Sequence, residues 1–197
     1  MKKSPAPVAT FTREQWLEAA VQAVAQATPS VTFPPVKVSC SWPGGGSARK
    51  RIGECWARKM SQAGVNEIFI SPKIEDSTRA VSILMHELAH AVDDCKSGHK
   101  AGFVKIAKSI GCVGKPTQME PPVEVASAIA KVVSDKHGAY PHRGLDLSSR
   151  KKQSTRMIKC ECGHCSAVWR MAAKTIAQVE GEMSCPVCHA EDGVAFG

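Results

Sequence analysis

Five consecutive residues, His86-Glu87-Leu88-Ala89-His90, carry the strongest chemical signal in the chain. On a helix, side chains four positions apart share one face, so the two imidazoles can grip one ion while Glu87 stands beside it without binding. Zinc held this way activates a water, and the neighbouring carboxylate takes a proton as that water attacks a polarised carbonyl. The reaction served is hydrolysis of a peptide bond, with Glu87 as its catalytic residue. The competing reading is a histidine pair hydrogen-bonded inside a core. Two histidines and a glutamate in so apolar a segment would then each need a buried partner.

A catalytic zinc keeps three protein ligands and one open position. Four residues could supply the third ligand. His99 follows a chain reversal at Ser97-Gly98 and opens the next predicted helix, which can fold back over the pair; it is preferred. Glu120 and Glu124 are carboxylates farther along the chain, with Glu124 the runner-up. Asp94 lies four residues past His90 on the same helix side, but three ligands along one straight helix fit a tetrahedral ion poorly. It suits a supporting hydrogen bond to a ligand better.

A second cluster lies near the C-terminus. Cys162-Gly-His-Cys165 and Cys185-Pro-Val-Cys188 form two knuckles with 19 residues between them, close to the spacing of a four-thiolate zinc site. Four thiolates complete the tetrahedron, so this zinc is structural, and its binding supplies folding free energy to a segment with few apolar residues. Cys160 is the spare thiol, and His164 and His189 are possible substitutes within the knuckles. The remaining cysteines of the nine, Cys40, Cys55, Cys95 and Cys112, are scattered singly and read as free thiols without a chemical role.

These residues resemble the SprT-like (Spartan) zinc metalloprotease family, which carries His-Glu-x-x-His and then Gly-His beginning a helix with a nearby Phe. The matching residues are His86 to His90, then Gly98-His99-Lys100-Ala101-Gly102-Phe103. The family often has Gly directly after the last histidine; Lys100 stands there in this chain, and a glycine comes at 102. With the zinc ribbon included, the resemblance runs over roughly residues 12 to 192. It implies an α+β fold, a compact zincin-like peptidase domain followed by a small zinc ribbon. It also implies that His86, His90 and His99 bind the catalytic zinc and that Glu87 is the general base. Members are associated with DNA, and the best-known ones degrade proteins crosslinked to it. Small versions occur in bacteria and their phages, the size class this chain resembles.

Such a site needs elements to hold it. Thr12 and Gln15 sit at capping-box spacing, and Phe11 and Trp16 at the spacing of a hydrophobic staple, which predicts a helix from Arg13 to Ala27. Its buried stripe is Trp16, Leu17, Ala20, Val21 and Val24. Val36, Val38, Cys40 and Trp42 alternate with polar residues as in a half-buried strand. After a turn at Pro43 to Gly46, Glu54 to Met60 and Glu67 to Ile70 read as two more strands of a small antiparallel sheet. Asp76 or Ser77 can cap a helix from Thr78 to Asp94, so widely apolar that it belongs at the centre of the domain. Further helices are expected from Ala101 to Ile110 and from Pro122 to Asp135. The resulting boundaries are a tail at 1–11, a peptidase domain at 12–138, a basic linker at 139–158 and the ribbon at 159–197. His137, Tyr140 and His142 read as exposed residues without a motif.

A chain of 197 residues, 43% hydrophobic, can build one ordinary domain and a small appendage. No run of apolar residues is long enough to span a membrane, and Pro5 and Pro7 interrupt the opening Met-Lys-Lys before a signal-peptide core could form. A cytoplasmic monomer is expected. The net charge is +8, and residues 131–159 hold eight Lys or Arg against Asp135 and Asp146. Such a stretch attracts polyanions through counterion release, although a solvated linker has the same composition. Arg150, Lys151, Lys152 and Arg156 are therefore candidate DNA contacts. Arg170 and Lys174 join them, beside Trp169 between the knuckles, where a packed Trp with ordinary surface charges is the plainer reading.

These observations together predict a zinc-dependent endopeptidase acting on DNA-associated proteins, with one catalytic and one structural zinc. A non-catalytic, zinc-containing nucleic-acid-binding adaptor or transcription-associated factor is the main alternative. A third reading is a peptidase with Glu124 as ligand and no role at nucleic acid.

Overall fold

The computed structural model describes residues 11–44, 51–146, 157–179 and 183–196, and the chain divides into two units, Met1–Asp146 and Leu147–Gly197. Among the described residues there are five α-helices and two three-stranded sheets, an α+β arrangement.

Helix α1 (Arg13–Ala27) starts at the expected capping box: Thr12 Oγ1 accepts from the Gln15 amide and the Gln15 side chain accepts from the Thr12 amide. Its apolar stripe is buried, with Trp16, Leu17, Ala20 and Val24 all fully enclosed. The Trp16 indole N–H donates to the Gly138 carbonyl at 3.0 Å, so burying this ring leaves no polar atom stranded. Phe11 stacks on the His137 ring with centroids 4.0 Å apart.

The first sheet has the order β1-β3-β2, built from β1 (Val36–Cys40), β2 (Gly53–Trp56) and β3 (Asn66–Ile70). It is mixed, not antiparallel as expected: β1 runs parallel to β3 with Val38 opposite Ile68, while β2 is antiparallel to β3 with Cys55 opposite Ile68. Alternation of apolar residues reports which face of a strand is buried and says nothing about its direction. Strand β2 also stops earlier than expected, because Arg58–Met60 wind into a 3-10 turn.

Helix α2 (Ser77–Val92) is the centre of the unit. Asp76 caps it by accepting from the Arg79 amide at 2.7 Å. Ala80, Val81, Leu84, Met85 and Leu88 are fully buried, and the helix packs on α1, β2, β3, α3 (Ala101–Ser109) and α4 (Val123–His137). Apolar residues all round a helix are a stable arrangement only where neighbours cover every side.

The segment after α4, expected to begin an exposed linker, is packed instead. Tyr140 is 4% exposed, and its ring lies 5.2 Å from that of Trp16. His142 is held between Arg13 and the Pro72 carbonyl.

The second unit holds β4 (Met157–Cys162), β5 (Val168–Ala172), the short helix α5 (Ala173–Gln178) and β6 (Val194–Phe196). Its sheet has the order β5-β4-β6 and is antiparallel throughout. No helix among the described residues is long and apolar enough to cross a membrane.

Candidate metal centres

One helical turn of α2 brings His86 and His90 to the same face, as the four-residue spacing requires. The third imidazole arrives through a sharp reversal. Asp94 and Cys95 both take left-handed backbone angles, φ 57° and 60°, and Gly98 follows at φ 52°. The chain then enters α3 with His99 just ahead of it. Gly102 in the first turn of α3 lies close to that reversal: a Cβ there would lie 2.2 Å from Ser97 Oγ and 3.1 Å from Ser97 Cβ. Ser97 is itself tied back, its amide donating to Asp93 Oδ2 at 3.0 Å. The glycine at 102 therefore serves the close approach of helix and turn.

His99 Nε2 lies 3.3 Å from His86 Nε2 and 3.3 Å from His90 Nε2, and the three ligand atoms fall within 4.8 Å of one another. Zinc–nitrogen bonds of about 2.0–2.1 Å set a tetrahedral edge of roughly 3.3–3.4 Å, so this donor set fits a single zinc ion. The Nδ1 of His86 donates to the Met119 carbonyl at 2.8 Å, which leaves its Nε2 lone pair facing the other two rings. Phe103 from α3 floors the cluster, stacked on His90 with centroids 4.2 Å apart. Burial lowers the pKa of His86 and brings that of His90 down to about 4, reinforced for His90 by the neighbouring imidazoles. Neutral rings are the form in which histidine binds metal.

Glu87 lines the same cleft, a cavity of about 850 Å³ bordered also by Gly53, Glu54, Cys55 and Cys95. It is only 6% exposed. Desolvation pushes its pKa up to about 8, with Cys95 and Glu54 adding to the rise and Arg51 opposing it. Strand β2 passes so near that a Cβ on Gly53 would lie 2.5 Å from Glu87 Oε1 and 2.5 Å from Ile83 Cγ2.

The carboxylates considered as third ligand have other positions. Glu124 is exposed in the first turn of α4 and outside the histidine group. Glu120 borders the cleft and pairs with Arg79. Asp94 does not support a histidine as expected. It accepts from the Arg58 amide at 2.8 Å and the Asn66 side chain at 3.1 Å, because the left-handed turn swings it toward the sheet.

In the second unit, Cys162 and Cys188 have their sulfurs 3.6 Å apart, as do Cys165 and Cys185, and all four lie within 4.8 Å of one another. Zinc–sulfur bonds of about 2.3 Å give a tetrahedral edge of roughly 3.8 Å, so this set also fits. The two knuckles have the same construction. Each has a left-handed residue after its second cysteine, Ser166 at φ 57° and His189 at φ 59°. Each such residue donates its amide to the carbonyl of the first cysteine at 2.9 Å. The amides of Cys188 and Val187 donate to Cys185 Sγ and lower that thiol's pKa to about 6, favouring the thiolate a metal needs. Cys160 is buried outside the group, and His164 pairs with Asp192. Neither replaces a cysteine in it.

Of the candidate DNA contacts, Arg150, Lys151, Lys152 and Arg156 lie outside the described residues. Arg170 and Lys174 are exposed on β5 and α5, and Trp169 is half-buried, paired across the sheet with Cys160. Three features of the first site have no sequence motif: the Met119 carbonyl, the clearance at Gly53 and the meeting of Cys55 with Cys95.

The model of the SprT-like family matches residues 14–126, more than half of the chain. No curated protein and no solved structure matches.

Proposed function

Because the chain belongs to the SprT-like family, we propose that its first unit is a zincin-like zinc endopeptidase acting on proteins associated with DNA. The observation that carries this reading is the convergence of three imidazoles, with His99 Nε2 3.3 Å from each of the other two, and a buried carboxylate lining the same cleft. His86, His90 and His99 would hold the zinc, and Cys162, Cys165, Cys185 and Cys188 a second, structural one.

When bound, a zinc ion with an open position supplies Lewis acidity, polarising a carbonyl and acidifying water. The protein's part is to place and hold the groups around it. Met119 fixes the tautomer of His86, and Phe103 fixes the plane of His90. Glu87 is the proton carrier: it accepts a proton from the attacking water at a carboxylate oxygen and returns it to the departing amine. Its desolvated setting raises its proton affinity, which a zinc ion held by the histidines would lower. Strand β2, at the sheet edge beside Glu87, walls the cleft in which a substrate chain would lie.

The DNA association is supported by the net charge of +8 and by the exposed cations Arg170 and Lys174 in the thiolate-bearing unit. The deciding experiment compares wild type with Glu87→Gln for cleavage of a DNA-bound protein, with and without DNA. The expected result is a loss of roughly 10²–10⁴-fold in the variant with its zinc content intact. Equal function in the two proteins would favour the adaptor.

A further inference from the structure

The peptidase reading leaves two thiols in the cleft without a task. Cys55 on strand β2 and Cys95 in the turn after α2 are 40 positions apart in sequence, yet their sulfurs lie 3.5 Å apart. Cys95 Sγ also lies 3.4 Å from the Cys55 carbonyl oxygen. Both residues are partly accessible and both border the cleft. Cys112, by contrast, is 1% exposed.

The backbone, and not a chance rotamer, holds the pair together. Consecutive left-handed residues at Asp94 and Cys95 are an uncommon conformation for side chains other than glycine. Asp94 anchors the turn to Arg58 and Asn66, and the Cys95 amide donates to the His90 carbonyl at 2.8 Å. The turn is thus pinned from both sides with its thiol against β2.

We propose that Cys55 and Cys95 are a reversible redox pair, with low-molecular-weight disulfides as co-reactant, whose disulfide ties strand β2 to the turn that delivers His99. In the first step the Cys95 thiolate attacks one sulfur of the small disulfide, forming a mixed disulfide and expelling one small thiolate. In the second, Cys55 sulfur attacks the Cys95 sulfur, loses its proton to solvent and expels the other half. Two protein thiols are oxidised and one small disulfide is reduced to two thiols. The 3.5 Å sulfur–sulfur contact keeps the second thiol within reach of the first once the mixed disulfide has formed. Closure requires the sulfurs to move from contact to a bond of about 2.05 Å, a rotation of side chains already facing each other.

The test uses the full-length, zinc-loaded protein incubated with oxidised glutathione, followed by alkylation of remaining thiols, digestion and peptide mass mapping. The expected product is a peptide joined through Cys55 and Cys95, reopened by reduced glutathione. Amide hydrogen exchange should slow in residues 53–56 and 93–98 on oxidation. In Cys55→Ser, Cys95 should instead retain one glutathione, and exchange in both segments should stay as in the reduced protein. The proposal is overturned if both thiols of the wild type remain open to alkylation, or if Cys95 joins a ribbon cysteine. A bound metal ion shielding the pair from both reagents would overturn it as well. None of these readouts depends on peptidase activity.

Discussion

Glu87 is held where its own charge is disfavoured, and that has a measurable consequence. In the metal-free protein its folded-state pKa of about 8 lies above the ordinary value of 4.5. Between those values the folded state binds the extra proton, so Glu87 makes stability fall as pH rises from about 4.5 to 8, by at most about 1.4 kcal/mol per pH unit. His86 and His90, with lowered values, act in the opposite sense at the acid end of this range. The comparison of wild type with Glu87→Gln isolates the carboxyl: urea unfolding of the two metal-free proteins should show the variant gaining relative stability up to pH 8. Parallel curves would mean that Glu87 is solvated. Gly53 is the other sensitive residue. Gly53→Ala drives a methyl against Glu87 and Ile83, and an overpacking cost of about 1–3 kcal/mol is expected in urea unfolding. The histidine pair was legible because helical spacing alone brings residues four apart together. The Met119 carbonyl was not, since a backbone oxygen has no sequence signature, and the pairing of Cys55 with Cys95 depends on a turn conformation that their chain separation hides.

At the level of elements, what could be read ahead was whatever local chemistry decides. The capping box fixed the start of α1, and the Asp76 cap placed the start of α2 within a residue of expectation. Strand direction in the first sheet was not local, because β1 pairs with β3 across the intervening β2. The four-thiolate group and the three-imidazole group should also differ in how they release metal. The first is complete with protein ligands and the second is not, so graded chelation of protein loaded with two zinc ions should remove one promptly and the other slowly. Cys185→Ser should abolish the slow fraction and leave the prompt one. A single kinetic class, or a single zinc per chain, would contradict the assignment.

Across the whole molecule, the first unit runs to Asp146, inside the stretch 139–158 expected as a linker. The cause is packing: Tyr140 and His142 dock against Trp16, Arg13 and Pro72, contacts that a reading by charge and glycine content does not register. This gives a cut site for testing the DNA association. Binding by the full chain should weaken steeply with salt, and residues 1–146 alone should lose it. Arg170→Ala and Lys174→Ala should each flatten the log–log salt dependence by about one unit if each meets a phosphate. Salt-independent binding, or full binding by residues 1–146, would remove the second unit from the interface.

The Met119 carbonyl makes the orientation of one imidazole depend on a stretch of chain that contributes no metal ligand. That stretch is closed on itself by the Val113–Glu120 bridge and turns through Gly114 at φ 107°. Damage to this loop would therefore register as a loosened grip on the ion with all three imidazoles themselves unaltered.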